Sequence, residues 1–153
     1  MRTQIKFKVD CIPPTRTAQE KRLQVVKGKP MFFHDKKAKS NEELLAGLFE
    51  PFQPDEPIRG AVELQVIVTW PWRKGDLNTK AKRERAARLG YDYYEGKPDL
   101  DNFVKGVQDL LAAMLFIEGD QKVVALYALK YVGSQPGIEI KITRCCRDDE
   151  GEN

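Results

Sequence analysis

One stretch, KPDLDNFVKGVQDLLAAMLFIEGDQKVV from Lys97 to Val124, constrains the fold of this chain more than any other. Its apolar residues fall at 100, 103, 104, 107, 110, 111 and 114. That is the i, i+3, i+4, i+7 spacing of a helix with one face against a core. Pro98 suits the chain just before such a helix, and Asp99 or Asp101 could cap its first N–H groups. A helix patterned this way needs a second layer, and alternating segments supply it. Ile5, Phe7 and Val9 alternate with lysines over Gln4 to Asp10. Val62, Leu64, Val66, Val68 and Trp70 alternate over Val62 to Trp70, which reads as a central strand ended by Pro71. Lys122 to Val132 and Ile138 to Ile142 read as two more strands, joined as a hairpin by Gly133–Gly137. Strands and helices in this order give an α+β domain, a mixed sheet of four to five strands with helices packed mainly on one face.

The polar residues of the same helix carry the chemistry. Asp101, Lys105 and Asp109 are spaced by four and share a face turned away from Leu100, Phe103, Val107 and Leu111. Asp99 stands at or just before the first turn, where extended chain lets it approach Asp101. Glu118-Gly119-Asp120 then turns into the next strand. If that strand doubles back along the helix, Asp120 returns to the helix start and three carboxylates meet beside one lysine. Such a group repels itself unless a divalent cation offsets the charge. Hard oxygen ligands favour Mg2+, with Mn2+ as a substitute, and Lys105 suits the charge of a pentavalent phosphate. The set describes metal-assisted hydrolysis of a phosphodiester. Each part alone also has a plainer explanation. Asp99 and Asp101 could be a cap favoured by the helix dipole. Asp101–Lys105 could be a solvated pair worth about 0.2–0.5 kcal/mol, and Asp120 a turn residue.

DLDNFVK at Asp99–Lys105, followed by EGDQKVV at Glu118–Val124, resembles the signature of RusA-type Holliday junction resolvases, common in phages and prophages. The match runs from Lys97 to about Ile142, and more loosely through Val62–Trp70 and Pro13-Pro14. The resemblance implies that Asp99, Asp101 and Asp120 bind metal and that Lys105 assists catalysis. Asn102 would orient a carboxylate, with Asp109 a further supporting residue and Glu118 a possible extra ligand. It also implies a homodimer, whose two-fold axis would offer one cutting site to each of two opposed strands of a four-way junction. The expected function is a Mg2+-dependent endodeoxyribonuclease that resolves such junctions in recombination and repair. Two rivals stand beside it: a less selective metal nuclease for flaps and other branched DNA, and a non-catalytic DNA-binding protein whose carboxylates only cap helices and balance lysines.

Charge points to the same kind of partner. The chain is only +3 overall, yet Arg73 to Arg88 holds Arg73, Lys74, Lys80, Lys82, Arg83, Arg85 and Arg88 against Asp76 and Glu84. These residues, with Lys97, are the candidate phosphate contacts. All but Lys97 belong to a basic insertion, 73–96, that departs from the compact family pattern. Ala81 to Leu89 could form a helix ended by Gly90, and Tyr91, Tyr93 and Tyr94 add rings suited to unstacked bases. The other reading is a solvated, partly disordered insertion. Arg16 to Lys39 is likewise open: a solvated loop with one short strand, or a DNA-facing arm. Ser40-Asn41-Glu42-Glu43 reads as a capping box opening a helix that stops before Pro51. Trp70 and Trp72 read as core or subunit contacts rather than stacking platforms.

The rest of the chain excludes other classes. No apolar run reaches the roughly 18–20 residues of a membrane span, and Met1-Arg2-Thr3-Gln4 lacks a signal-peptide core. The expected location is the cytoplasm. Cys11, Cys145 and Cys146 have no metal-ligand spacing and read as free thiols. His34, the single histidine, gives a zinc site or a Ser-His-Asp triad little to build on. Residues 1–146 read as one domain, followed by an acidic, disordered tail at 147–153.

Overall fold

The computed structural model describes residues 3–15, 21–26, 29–34 and 36–147, with side chains at 3–15 and 40–147. Chain order gives β1 (Gln4–Val9), β2 (Lys21–Val26), β3 (Lys29–His34), α1 (Lys36–Phe49), β4 (Val62–Pro71), α2 (Lys80–Leu89), β5 (Tyr91–Tyr93), α3 (Leu100–Ala113), β6 (Val123–Gly133) and β7 (Gly137–Arg144). Short 3-10 turns lie at Glu50–Phe52, Lys74–Leu77 and Asp120–Lys122. Five strands form one mixed sheet in the order β1-β7-β4-β6-β5. β4 runs parallel to β6 and antiparallel to β7. The α+β architecture follows the reading of the sequence.

Strand β4 is central because alternation puts Val62, Leu64, Val66, Val68 and Trp70 on one wholly buried face. Ile5, Phe7 and Val9 of β1 and Ile138, Ile140 and Ile142 of β7 continue that face. Helix α3 closes it with Phe103, Val104, Val107, Leu110 and Leu111, the stripe expected from spacing. Helix α1 adds Leu45 and Phe49, and Phe7 packs edge-on to Phe49 at 5.2 Å and flat on Phe52 at 4.8 Å. Burial of each such side chain is worth about 1.5–3 kcal/mol.

Several expectations are corrected. β6 and β7 are not a hairpin, since β4 lies between them and Ser134-Gln135-Pro136 carries the chain across its end. Alternation identifies strands but not neighbours, and β4, with the most complete buried face, takes a partner on each edge. α1 begins at Lys36, so Ser40 lies inside the helix rather than capping it. Lys36-Lys37-Ala38-Lys39 are good helix formers and extend it by a turn. The stretch read as a loop with one strand contains the antiparallel pair β2–β3. Its lysines and His34 lie outside the residues with described side chains, as does 148–153 of the expected tail. The three cysteines are free, as expected. Among the described residues, no helix is long and apolar enough to cross a membrane.

Residues 73–96 contain a helix and a short strand. Thr79 caps α2 by accepting from Lys82 N–H at 3.2 Å, and Gly90 ends the helix in the left-handed conformation at φ +76°. β5, too short to show a period in the sequence, then adds to β6 by pairing Tyr93 with Tyr131.

Candidate active site

Helix α3 and the turn after it bring the motif residues toward one another. Asp99 is the N-cap residue of α3, but its side chain makes no capping hydrogen bond. Its carboxylate instead accepts from Lys97 Nζ at 3.0 Å and stays half-exposed. The expectation that Asp99 caps the helix is therefore corrected: the ammonium of Lys97 is a stronger partner than a backbone N–H. Asp101, in the first turn, is exposed and makes no ion pair among the described residues. The plain reading of Asp101–Lys105 as an i, i+4 pair does not hold either. Asn102 is half-buried beside it.

Lys105 is taken by other acids. Its Nζ donates to Asp109 Oδ1 at 2.9 Å and to Asp120 Oδ2 at 2.7 Å. Asp120 thus returns from fifteen residues along the chain to the helix face that carries Asp101, Lys105 and Asp109. The hydrogen bonds from Lys105 hold the Asp120 carboxyl below the usual aspartate range, and the two carboxylates push the Lys105 ammonium well above the usual lysine range. Asp120 stops at Lys105 instead of joining Asp99 and Asp101, because an ammonium attracts it while two further carboxylates would repel it. Among the described residues, no three His, Cys, Asp or Glu side chains are close enough together to hold a metal ion. The donor chemistry of Asp99, Asp101 and Asp120, solvent-facing carboxylate oxygens, is nonetheless that of a hard divalent cation. Glu118 is engaged elsewhere: its Oε1 accepts the Gly60 N–H at 2.6 Å, at a glycine with φ +83°.

A groove of about 530 Å3 runs beside these residues, lined by Asp101, Val104, Lys105, Gln108, Leu126 and Ala128. Most of the candidate phosphate contacts, which lie in residues 73–96, have local partners. Arg73 is bound to Asp76 through two side-chain bonds of 2.9 and 3.0 Å. Lys82 donates to Gly75 O, Arg83 to Leu77 O, and Arg85 to Asp92. Lys80 stands 3.9 Å from Glu84. Lys74 and Arg88 are exposed and make no ion pair among the described residues. Bonding to carbonyls leaves the charges of Lys82 and Arg83 intact. Tyr91 and Tyr93 are exposed and pack against Tyr131 at 5.0 and 5.8 Å.

Sequence reasoning missed what holds the approach to Asp99. Lys130, half-buried on β6, donates to Gly96 O at 2.5 Å and to Pro98 O at 2.8 Å. The Tyr94 hydroxyl donates to Lys97 O at 2.6 Å, and Lys130 Nζ lies 5.0 Å from the Tyr94 ring centre. Trp70 packs on Tyr94 and on Phe103 of α3, and its indole N–H donates to Pro13 O at 2.8 Å. One signal was available: Lys130 alternates with Val124, Leu126, Ala128 and Val132, a lone charge on an apolar face.

Comparison with known proteins gives concordant matches. The family model described as Endodeoxyribonuclease RusA matches residues 5–143. A crossover junction endodeoxyribonuclease of Lactococcus phage r1t is 30% identical over 143 residues, 94% of this chain and 98% of that protein. The uncharacterized protein YqaN of Bacillus subtilis (strain 168) is 34% identical over 106 residues, covering 69% of this chain and 73% of that one.

Proposed function

Because the chain belongs to the RusA family of endodeoxyribonucleases, we propose that it is a divalent-metal-dependent enzyme cutting four-way DNA junctions as a homodimer. The observation that carries this reading is the Lys105–Asp120 bond at 2.7 Å, which draws a sequence-distant acid to the helix face bearing Asp101. Asp99, uncommitted to capping, and Asp101, without an ion pair among the described residues, are the other two donors. Asp99, Asp101 and Asp120 would hold the cation, which when bound supplies a Lewis acid for the phosphate and a water of lowered pKa. Mg2+ suits this donor set, and Mn2+ can replace it.

The protein's own groups define the rest of the chemistry. Lys105 stays protonated at any working pH because two carboxylates bind it, so it serves as a fixed positive charge and not as a base. That charge stabilises the phosphorane or the leaving oxygen. Asp109 holds the ammonium in place from the next turn, and Asn102 would orient a carboxylate. The products are 5′-phosphate and 3′-hydroxyl ends. Lys74, Arg88 and the other basic side chains of residues 73–96 meet the phosphates of the arms, with Tyr91 and Tyr93 offering rings to unstacked bases.

An open edge supports the homodimer. β6 pairs along its length with β4, whereas among the described residues β5 covers its other edge only from Tyr131 to Gly133. Val124, Leu126 and Tyr127 are exposed along the uncovered part. A hydrophobic strand edge of this kind pairs readily with a second copy, and two-fold pairing matches the symmetry of the junction. The deciding experiment is cleavage of a synthetic four-way junction, with flap and duplex DNA alongside, in Mg2+, Mn2+ or EDTA. Asp101→Asn is expected to bind the junction without cutting it; Mg2+-dependent cleavage by that variant would remove Asp101 from the mechanism. Equal cutting of flaps and junctions would replace junction selectivity with a broader branched-DNA activity.

A further inference from the structure

Asp99 is a metal-site candidate at a helix N-cap, a position where an aspartate ordinarily turns its carboxylate onto the N–H groups of the first turn. Here it does not. Its carboxylate is taken by Lys97 Nζ at 3.0 Å, and Lys97 belongs to the chain just ahead, residues 94–98, which runs from β5 to α3 without regular structure. Three consecutive carbonyls of that segment are bound by side chains from outside it or from its root. Gly96 O and Pro98 O accept from Lys130, and Lys97 O accepts from the Tyr94 hydroxyl. Tyr94 N–H in turn donates to Lys130 O at 3.1 Å, tying the segment back to the same β6 residue.

A lysine is a costly choice for this task. Burial pushes the Lys130 ammonium below the usual lysine range, with the nearby charge of Asp99 acting in the opposite direction. Among the described residues it forms no ion pair, and its two hydrogen bonds both go to backbone carbonyls. It is seated on β6 opposite Val68 of the central strand β4, so its backbone is anchored in the sheet.

We propose that Lys130 is a positioning residue for the acid site, holding the Gly96–Pro98 backbone so that Asp99 presents its carboxylate outward as a metal donor rather than folding back as a helix cap. This rests on the reading of Asp99, Asp101 and Asp120 as the donors. Lys130 itself touches neither metal nor phosphate; it acts through the backbone of a ligand, as groups behind metal ligands do. Loss of such support typically weakens metal binding by about 10–100-fold.

The test is Mn2+ binding to the full-length protein without DNA, followed by electron paramagnetic resonance, beside junction cleavage over a metal titration. Lys130→Met should weaken Mn2+ binding by about tenfold and raise the metal concentration needed for half-maximal cleavage to match, with junction affinity in EDTA unchanged. Lys130→Arg, which keeps the charge and the donors, should recover part of the loss. Ile142→Val, a core variant on β7, serves as the control for stability alone and should bind Mn2+ as the wild type does. Mn2+ affinity in Lys130→Met equal to that of Ile142→Val, at comparable melting temperatures, would overturn the proposal. Asp99→Asn and Asp101→Asn in the same titration test the premise separately: unchanged Mn2+ affinity in both would overturn the donor assignment, and the role of Lys130 with it.

Discussion

Replacing Trp70 by Phe separates a structural role for this tryptophan from a role in stacking on DNA bases. Trp70 is 4% exposed, packs on Tyr94 at 5.1 Å and on Phe103 at 5.4 Å, and donates its indole N–H to buried Pro13 at 2.8 Å. Phenylalanine keeps a ring against both neighbours but leaves the Pro13 carbonyl without that donor, at a cost of about 1–3 kcal/mol. The smaller ring leaves a gap worth about 1 kcal/mol more. The sum is about 2–4 kcal/mol. For 153 residues, about 2.1 cal/mol/K per residue gives an unfolding entropy near 0.32 kcal/mol/K, so Tm should fall by about 6–12 °C. Differential scanning calorimetry measures this, and fluorescence anisotropy with a labelled four-way junction in EDTA should show affinity unchanged within about twofold. A Tm loss below about 2 °C would refute the reasoning, as would lost DNA affinity at unchanged Tm, which would place Trp70 against the DNA.

Four further outcomes are expected. Leu111→Ala, at a position with no exposed surface, should cost about 2–5 kcal/mol in urea unfolding, and a smaller loss would mean that α3 is not seated on the sheet. The depressed Asp120 carboxyl implies that its pairing with Lys105 stabilises the fold above the ordinary aspartate range, and that this contribution is lost as pH falls through the lowered folded-state value. Lys105→Met should therefore move the Asp120 titration back upward in carboxyl 13C NMR, and an unmoved titration would rule out the pairing. Leu126→Asp should shift a dimer to monomer in sedimentation velocity; a wild type that is monomeric at micromolar concentration would remove the strand-edge interface. Arg88→Ala should reduce the slope of log affinity against log salt by about 1, whereas an unchanged slope would take Arg88 out of the phosphate contacts.

Legibility followed the range of the interactions. The stripe of α3 was readable because a helix face repeats within a few residues, and Phe103, Val107 and Leu111 occupy it as spaced. β4 was readable as central for the same reason, since five alternate residues from Val62 to Trp70 are apolar. Gly90 marked the end of α2 because a left-handed residue there favours glycine. The hairpin expected of β6 and β7 failed because partner choice depends on β4, over sixty residues earlier in the chain. β5 escaped notice because three residues cannot display a period. Asp99 misled for a subtler reason: its position is a cap position, but the competing partner, Lys97, is chosen by side-chain geometry.

By itself, then, the sequence determined the local elements, the burying face of each, and the residue types gathered around α3, because those depend on periodicity and on chemistry carried in a few adjacent positions. Only the tertiary structure decided that Asp120 meets Lys105 and Asp109, that Asp99 is released from capping, and that Lys130 grips the segment ahead of it. Each of those contacts joins residues brought together by the order of strands in the sheet, and that order is set by burying the whole core at once.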